Sequence, residues 1–131
     1  MVQKQFLDQI LKDFDLVIKE KDVLGILLYG SYINQQETDR SDIDICIVAP
    51  TEDPFELLSF TWRKINVNAK NYDVRVFKEL PLYIKIQIIE NGAVIYSKNI
   101  YDLYEYFYIY RKLWDDQKHR QVVSEEELST Y

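Results

Sequence analysis

The sequence predicts an α/β fold in which helices alternate with strands. Three observations carry the prediction. Segments with the 3.6-residue apolar period of a helix take turns along the chain with short, β-branched apolar runs. Those runs, such as Leu24 to Tyr29 and Ile43 to Val48, are too short for core helices and end at glycine or shortly before proline. Finally, 131 residues of which 47% are hydrophobic suffice to bury a core, so a folded domain is expected and not a disordered chain.

Each element follows in order. Phe6, Leu7, Ile10, Leu11, Phe14, Val17 and Ile18 recur at helical spacing and predict one amphipathic helix over the first twenty residues. Leu24-Gly25-Ile26-Leu27-Leu28-Tyr29 is a buried strand, stopped at Gly30 and followed by a polar loop from Ser31 to Ser41. A second strand runs through Ile43, Ile45, Cys46, Ile47 and Val48 up to Pro50, and carries Asp42 and Asp44 at its start.

Asp53 is placed as an N-cap, with Pro54 at the first helical position and Glu56 in the first turn. Leu57, Leu58, Phe60, Trp62 and Ile65 are expected on the inner side of that helix. Tyr72 to Phe77 alternates as a strand and brings another carboxylate, Asp73. Leu82 to Ile89 reads either way by periodicity; Pro81 ahead and Asn91-Gly92 behind favour a helix, with a strand after it from Ala93 to Tyr96.

Asn99 is positioned to cap a long last helix whose Ile100, Leu103, Phe107, Tyr110 and Trp114 form one stripe. Tyr101, Tyr104, Tyr108, Tyr106, Ile109 and Leu113 widen its apolar surface, so either the domain's own core or a partner must cover them. The acidic stretch from Gln121 is expected to fray. With no repeat or linker, the reading is one domain over residues 1–131, with a core at about 20–98 and the last helix at about 99–120.

Charge and composition exclude several functions. Sixteen basic against 22 acidic side chains give a net charge of −6, which argues against a general nucleic-acid binder. Arg63, Lys64, Lys70, Arg75 and Lys78 lie close together in sequence but read as a solvated face. No apolar run approaches a membrane span, and the N-terminal stretch mixes charge among its apolar positions, so a cytoplasmic location is expected. Cys46 stands alone within a strand, as core filling. His119 is the single histidine, between Lys118 and Arg120, with no motif for histidine chemistry around it.

The two aspartates ask for compensation, because unpaired carboxylates are costly at the mouth of a core strand. Residues two apart in a strand share a face, about 6.6 Å apart, so Asp42 and Asp44 can hold divalent cations between them. Paired catalytic ions clamp the attacking and leaving oxygens of phosphoryl or nucleotidyl transfer, and magnesium suits an all-oxygen site. Gly30-Ser31 past a strand end can let backbone amides and a hydroxyl approach phosphate oxygens. Asp73 becomes a third ligand if its strand pairs beside the one carrying Asp42 and Asp44. Each of these residues, taken singly, is an ordinary turn or cap residue.

Taken together they resemble a known family. Gly30-Ser31, ten residues, then Asp42-Ile43-Asp44 entering an apolar strand is similar to the signature of the minimal nucleotidyltransferases, small members of the DNA polymerase β-like superfamily. That resemblance implies a mixed β-sheet flanked by helices, with the Tyr-rich helix at the C-terminus. It further implies that Asp42, Asp44 and Asp73 bind two Mg2+ ions and that Gly30, Ser31 and Ser41 hold the phosphates of ATP. Family members act as antitoxins, transferring AMP to a tyrosine of a HEPN-domain ribonuclease toxin.

Such a tyrosine, with a pKa of about 10, costs about 4 kcal/mol to ionise at pH 7, a sum that a metal and Asp73 together can supply. The loop Ile33-Asn34-Gln35-Gln36 departs from the family's Ala-Arg-Gly. A binding antitoxin that does not turn over, and transfer to RNA or a small molecule, therefore stand as alternatives.

Overall fold

The computed structural model describes residues 4–30 and 42–129, with side chains through residue 119. Its elements are helices α1 (Lys4–Asp13) and α2 (Asp15–Glu20), strands β1 (Gly25–Tyr29) and β2 (Ile43–Val48), helix α3 (Pro54–Lys64) and strand β3 (Tyr72–Val76). A 3-10 turn (Phe77–Glu79), helix α4 (Leu82–Asn91), strand β4 (Ala93–Ser97) and helix α5 (Ile100–Ser129) follow. The strands form one sheet in the order β3-β2-β1-β4. β1 is antiparallel to β2 and to β4, whereas β2 and β3 run parallel.

Both faces of this sheet are covered, so strand residues of both parities are apolar. Ile26, Leu28, Ile45, Ile47 and Val76 pack under Ile10, Phe14, Val17, Leu57 and Phe60 from α1, the α1–α2 junction, α2 and α3. Leu27, Cys46 and Val48 face the other way, onto Phe77, Ile86, Ile89, Leu103 and Phe107. Cys46 is fully buried, as its place in the strand required.

Local chemistry sets the ends. The Asp53 carboxylate accepts the Glu56 N–H at 3.0 Å, with Pro54 opening α3. Asn99 Oδ1 accepts the Tyr101 and Asp102 N–H groups at 3.0 and 3.2 Å, which caps α5. The ambiguous Leu82 segment is a helix. Gly92 closes it by donating its N–H to the Ile88 carbonyl, and Ile86, Ile88 and Ile89 are buried.

Three expectations are corrected. The first helix is interrupted at Phe14, whose backbone (φ −91°, ψ 4°) leaves helical geometry while the Phe14 and Ile18 N–H bonds continue the i−4 pattern. Trp62 is 55% exposed, because the face of α3 on the core is set by Leu57, Phe60, Thr61 and Ile65, and Trp62 is rotated away from that stripe. The last helix runs on to Ser129 instead of ending near residue 120. On α5, Leu103 and Phe107 are buried while Tyr101, Tyr104, Tyr108, Ile109 and Leu113 remain exposed. Among the described residues no helix is long and apolar enough to cross a membrane.

Candidate active site

Strand direction gathers the site. β1 ends where β2 and β3 begin, because β1 opposes β2 and β3 follows it. The register sets Tyr29 of β1 against Asp44 of β2, and Asp44 against Asp73 of β3. With the side-chain parity of Leu27 and Cys46, all three point to the face that carries α4 and α5. A tyrosine and two carboxyls therefore form a row across three adjacent strands, about 4.8 Å from one strand to the next.

Gly30 caps this row at the end of β1. Its φ is +77°, and a Cβ there would run into the Asp44 carboxylate. Both the left-handed backbone and the close approach exclude a side chain, which explains why glycine follows Tyr29. Ser31, Ser41 and the loop between them lie outside the described residues.

Asp44 and Asp73 crowd each other. Burial, the Asp73 charge and a hydrogen bond shared with Asp73 push the Asp44 carboxyl up to about 6, with Asp42 adding to the rise and Arg75 opposing it. Burial also pushes the Tyr29 hydroxyl up, and the charges of Asp44 and Asp73 reinforce it. Asp42 is exposed, one residue ahead of β2. Among the described residues, no three His, Cys, Asp or Glu side chains are drawn into a group that could hold a metal ion. The donor chemistry nonetheless fits a hard divalent cation: two carboxylates from adjacent strands, with a third from the strand mouth acting on Asp44 through its charge.

Two residues of this site escaped the sequence reading. Tyr29 precedes Gly30 with the parity that puts it beside Asp44. Arg75 stands two residues after Asp73 and so shares its face, with its Nη2 3.5 Å from Asp73 Oδ2. Strand parity was the signal available for both. The other members of the sequence's basic group are placed elsewhere: Lys70 pairs with Asp13 at 2.9 Å, and Lys78 reaches the Pro50 carbonyl. A cavity of about 870 Å³ lies where α3 runs into β3 and is lined by Trp62, Arg63, Ile65, Tyr72, Asp73 and Val74 among others. Ile65, Val67, Tyr72 and Val74 pack with the core on the α1–α3 face, while Asp73 brings one member of the carboxyl row to the cavity's edge.

The family model described as polymerase beta nucleotidyltransferase matches residues 12–101, which span every one of these site residues. The chain belongs to this family. A protein of Methanocaldococcus jannaschii named as a protein adenylyltransferase is 46% identical over 99 residues, covering 75% of each chain. The family's fold recurs in solved structures. A toxin-antitoxin crystal structure with AMP-PNP contains a chain that matches with a TM-score of 0.66 at 22% identity, over 93% of this chain and 98% of that one. The complex of a tri-AMPylated Shewanella oneidensis HEPN toxin with an MNT antitoxin matches with a TM-score of 0.64 at 19% identity, over 97% and 99%. A nucleotidyltransferase fold from Sulfolobus solfataricus matches with a TM-score of 0.53 at 19% identity, over 72% and 82%. The resemblance drawn from Gly30-Ser31 and Asp42-Ile43-Asp44 thus holds for family and fold, and the chain is a nucleotidyltransferase by descent.

Proposed function

We propose that this nucleotidyltransferase transfers AMP from ATP to a tyrosine hydroxyl of a HEPN-type ribonuclease toxin and so neutralises it as an antitoxin. The observation that carries this reading is the register that seats Asp44 beside Asp73, with Gly30 against Asp44 at the strand end. The adenylyltransferase name of the 46%-identical relative and the toxin-antitoxin neighbours support the substrate and the partner.

In the proposed reaction the acceptor oxygen attacks the α-phosphorus of ATP, the bond from that phosphorus to the bridging oxygen breaks, and pyrophosphate leaves. Asp73 takes the acceptor proton. Asp42, Asp44 and Asp73 would hold Mg2+, two ions on the family's pattern, which when bound neutralise charge on the carboxylates and the triphosphate alike. Gly30, Ser31 and Ser41 would bind phosphate oxygens. The chain's own part is positioning: strand pairing holds the carboxyls side by side before any substrate arrives.

The exposed Tyr101, Tyr104 and Tyr108 of α5, at spacings of three and four, give the toxin a docking stripe. The same stripe favours a second reading, in which occupation of the toxin suffices and chemistry is dispensable. Mass spectrometry of a HEPN-type ribonuclease from the same genome, incubated with this chain, ATP and Mg2+, tests the enzyme. The expected result is a gain of one or more AMP groups on a tyrosine, lost in Asp44→Asn. An unmodified toxin that is still inhibited would leave the binding reading standing. Joint replacement of Tyr101, Tyr104 and Tyr108 by serine is expected to abolish co-purification with the toxin while circular dichroism stays unchanged.

A further inference from the structure

Among the described residues Arg75 pairs with Asp73. It sits on β3, the edge strand of the sheet, with its side chain 55% exposed. Yet it is aimed inward along the strand, Nη2 lying 3.5 Å from Asp73 Oδ2, and shares a face with Asp73 and Asp44. The charge of Asp73 acts on it most strongly, followed by Tyr29, with Asp44 contributing as well. Among the described residues that act on Asp44, Arg75 is the cation, against Asp73 and Asp42.

A guanidinium is always charged and carries donors arranged to engage a carboxylate. At the edge of a crowded carboxyl pair it lowers their mutual repulsion, which holds Asp73 turned toward the row. It also repels any further cation arriving at the same oxygens. We propose that Arg75 is a positioning residue, a built-in counter-cation that holds the Asp73 carboxylate in the row and competes with divalent ions for it. Its presence sets the divalent concentration at which the site fills. This inference rests on the proposed reading of Asp44 and Asp73 as metal ligands.

The experiment uses the full chain with Mn2+ alone, its binding measured by water-proton relaxation at low ionic strength and neutral pH. Arg75→Ala is expected to bind Mn2+ roughly three- to tenfold more tightly than the parent, the range for a partly solvated charge acting on a divalent ion. Arg75→Lys, which keeps the charge, is expected to stay near the parent. Raising the salt to about 1 M, where the Debye length is about 3 Å, should shrink the difference between parent and Ala variant. Both variants alter an exposed edge position and are checked for folding by circular dichroism.

Equal or weaker Mn2+ binding by a folded Arg75→Ala would overturn the counter-cation while leaving the metal ligands intact. Should the parent show no Mn2+ binding that Asp44→Asn removes, the ligand assignment and this inference would fall together.

Discussion

Asp13 and Asp44 are both part-buried carboxyls flanking the first residues of β3, and the domain treats them in opposite ways. Asp13, at the end of α1, accepts from the Tyr72 hydroxyl, from Lys70 Nζ at 2.9 Å and from Gln9 Nε2 at 3.0 Å. Burial alone would raise its carboxyl, but these donors hold it below the usual carboxylate range. Asp44, one strand over, meets another carboxyl and, among the described residues, no equivalent set of donors, and it is pushed up to about 6. Tyr72 and Asp73 are consecutive, so a single strand satisfies one aspartate with its first residue and frustrates the other with its second. A carboxylate surrounded by donors ties α1 to the sheet. One set against its own kind holds its proton to a higher pH.

The largest difference should appear in transfer activity. Asp44→Asn is expected to reduce nucleotidyl transfer by at least about a hundredfold, the scale for losing a group that stabilises developing charge. Asp13→Asn should leave the rate of folded protein within about twofold. Labelled-AMP transfer at matched concentrations of folded protein measures both; equal losses would erase the distinction between the two carboxyls.

Gly30→Ala comes next. The new Cβ meets the Asp44 carboxylate and the backbone is left-handed, so an expected cost of about 2 kcal/mol in stability accompanies displacement of that carboxyl. Urea denaturation and the transfer assay report the two effects separately.

Stability should then invert the ranking. Asp13→Asn is expected to lose about 2 kcal/mol, since a half-buried tyrosine hydroxyl and a lysine lose a charged acceptor. Asp44→Asn, in EDTA at pH 7, is expected to gain about 1 kcal/mol. That figure is discounted for the solvent around a carboxyl that is only partly buried.

The smallest effect is the pH dependence that follows from these shifts. The folded Asp44 binds its proton more tightly than the unfolded chain, whose value is near 3.8. Its stabilising contribution is full at low pH and is lost as pH rises toward 6. Asp13 has the opposite sign: its contribution is present above the ordinary carboxylate range and is lost as pH falls below it. Urea midpoints between about pH 2.5 and 7 in EDTA should rise relative to the parent with increasing pH for Asp44→Asn, and fall for Asp13→Asn, the latter chiefly below about pH 4. Parallel curves would refute the opposed environments.

Much of this was legible in the residues themselves. Helix period placed Ile10, Phe14, Leu103 and Phe107 in the core, and capping chemistry placed Asp53 and Asn99, because these depend on neighbours a few residues away. The family signature depends on spacing along one chain, so Gly30-Ser31 and Asp42-Ile43-Asp44 carried it. Trp62 was misplaced because an apolar side chain next to a buried stripe cannot be told from one within it until the helix is docked. Tyr29 and Arg75 went unnoticed as site residues for a related reason: parity gives a face, but which residues oppose one another depends on strand register. The sequence determined which carboxyls the domain carries and on which strands. Only the tertiary structure decided that Asp44 would lie beside Asp73 and Asp13 beneath Tyr72, because the environment that sets a carboxyl's charge is assembled from segments about thirty to sixty residues apart.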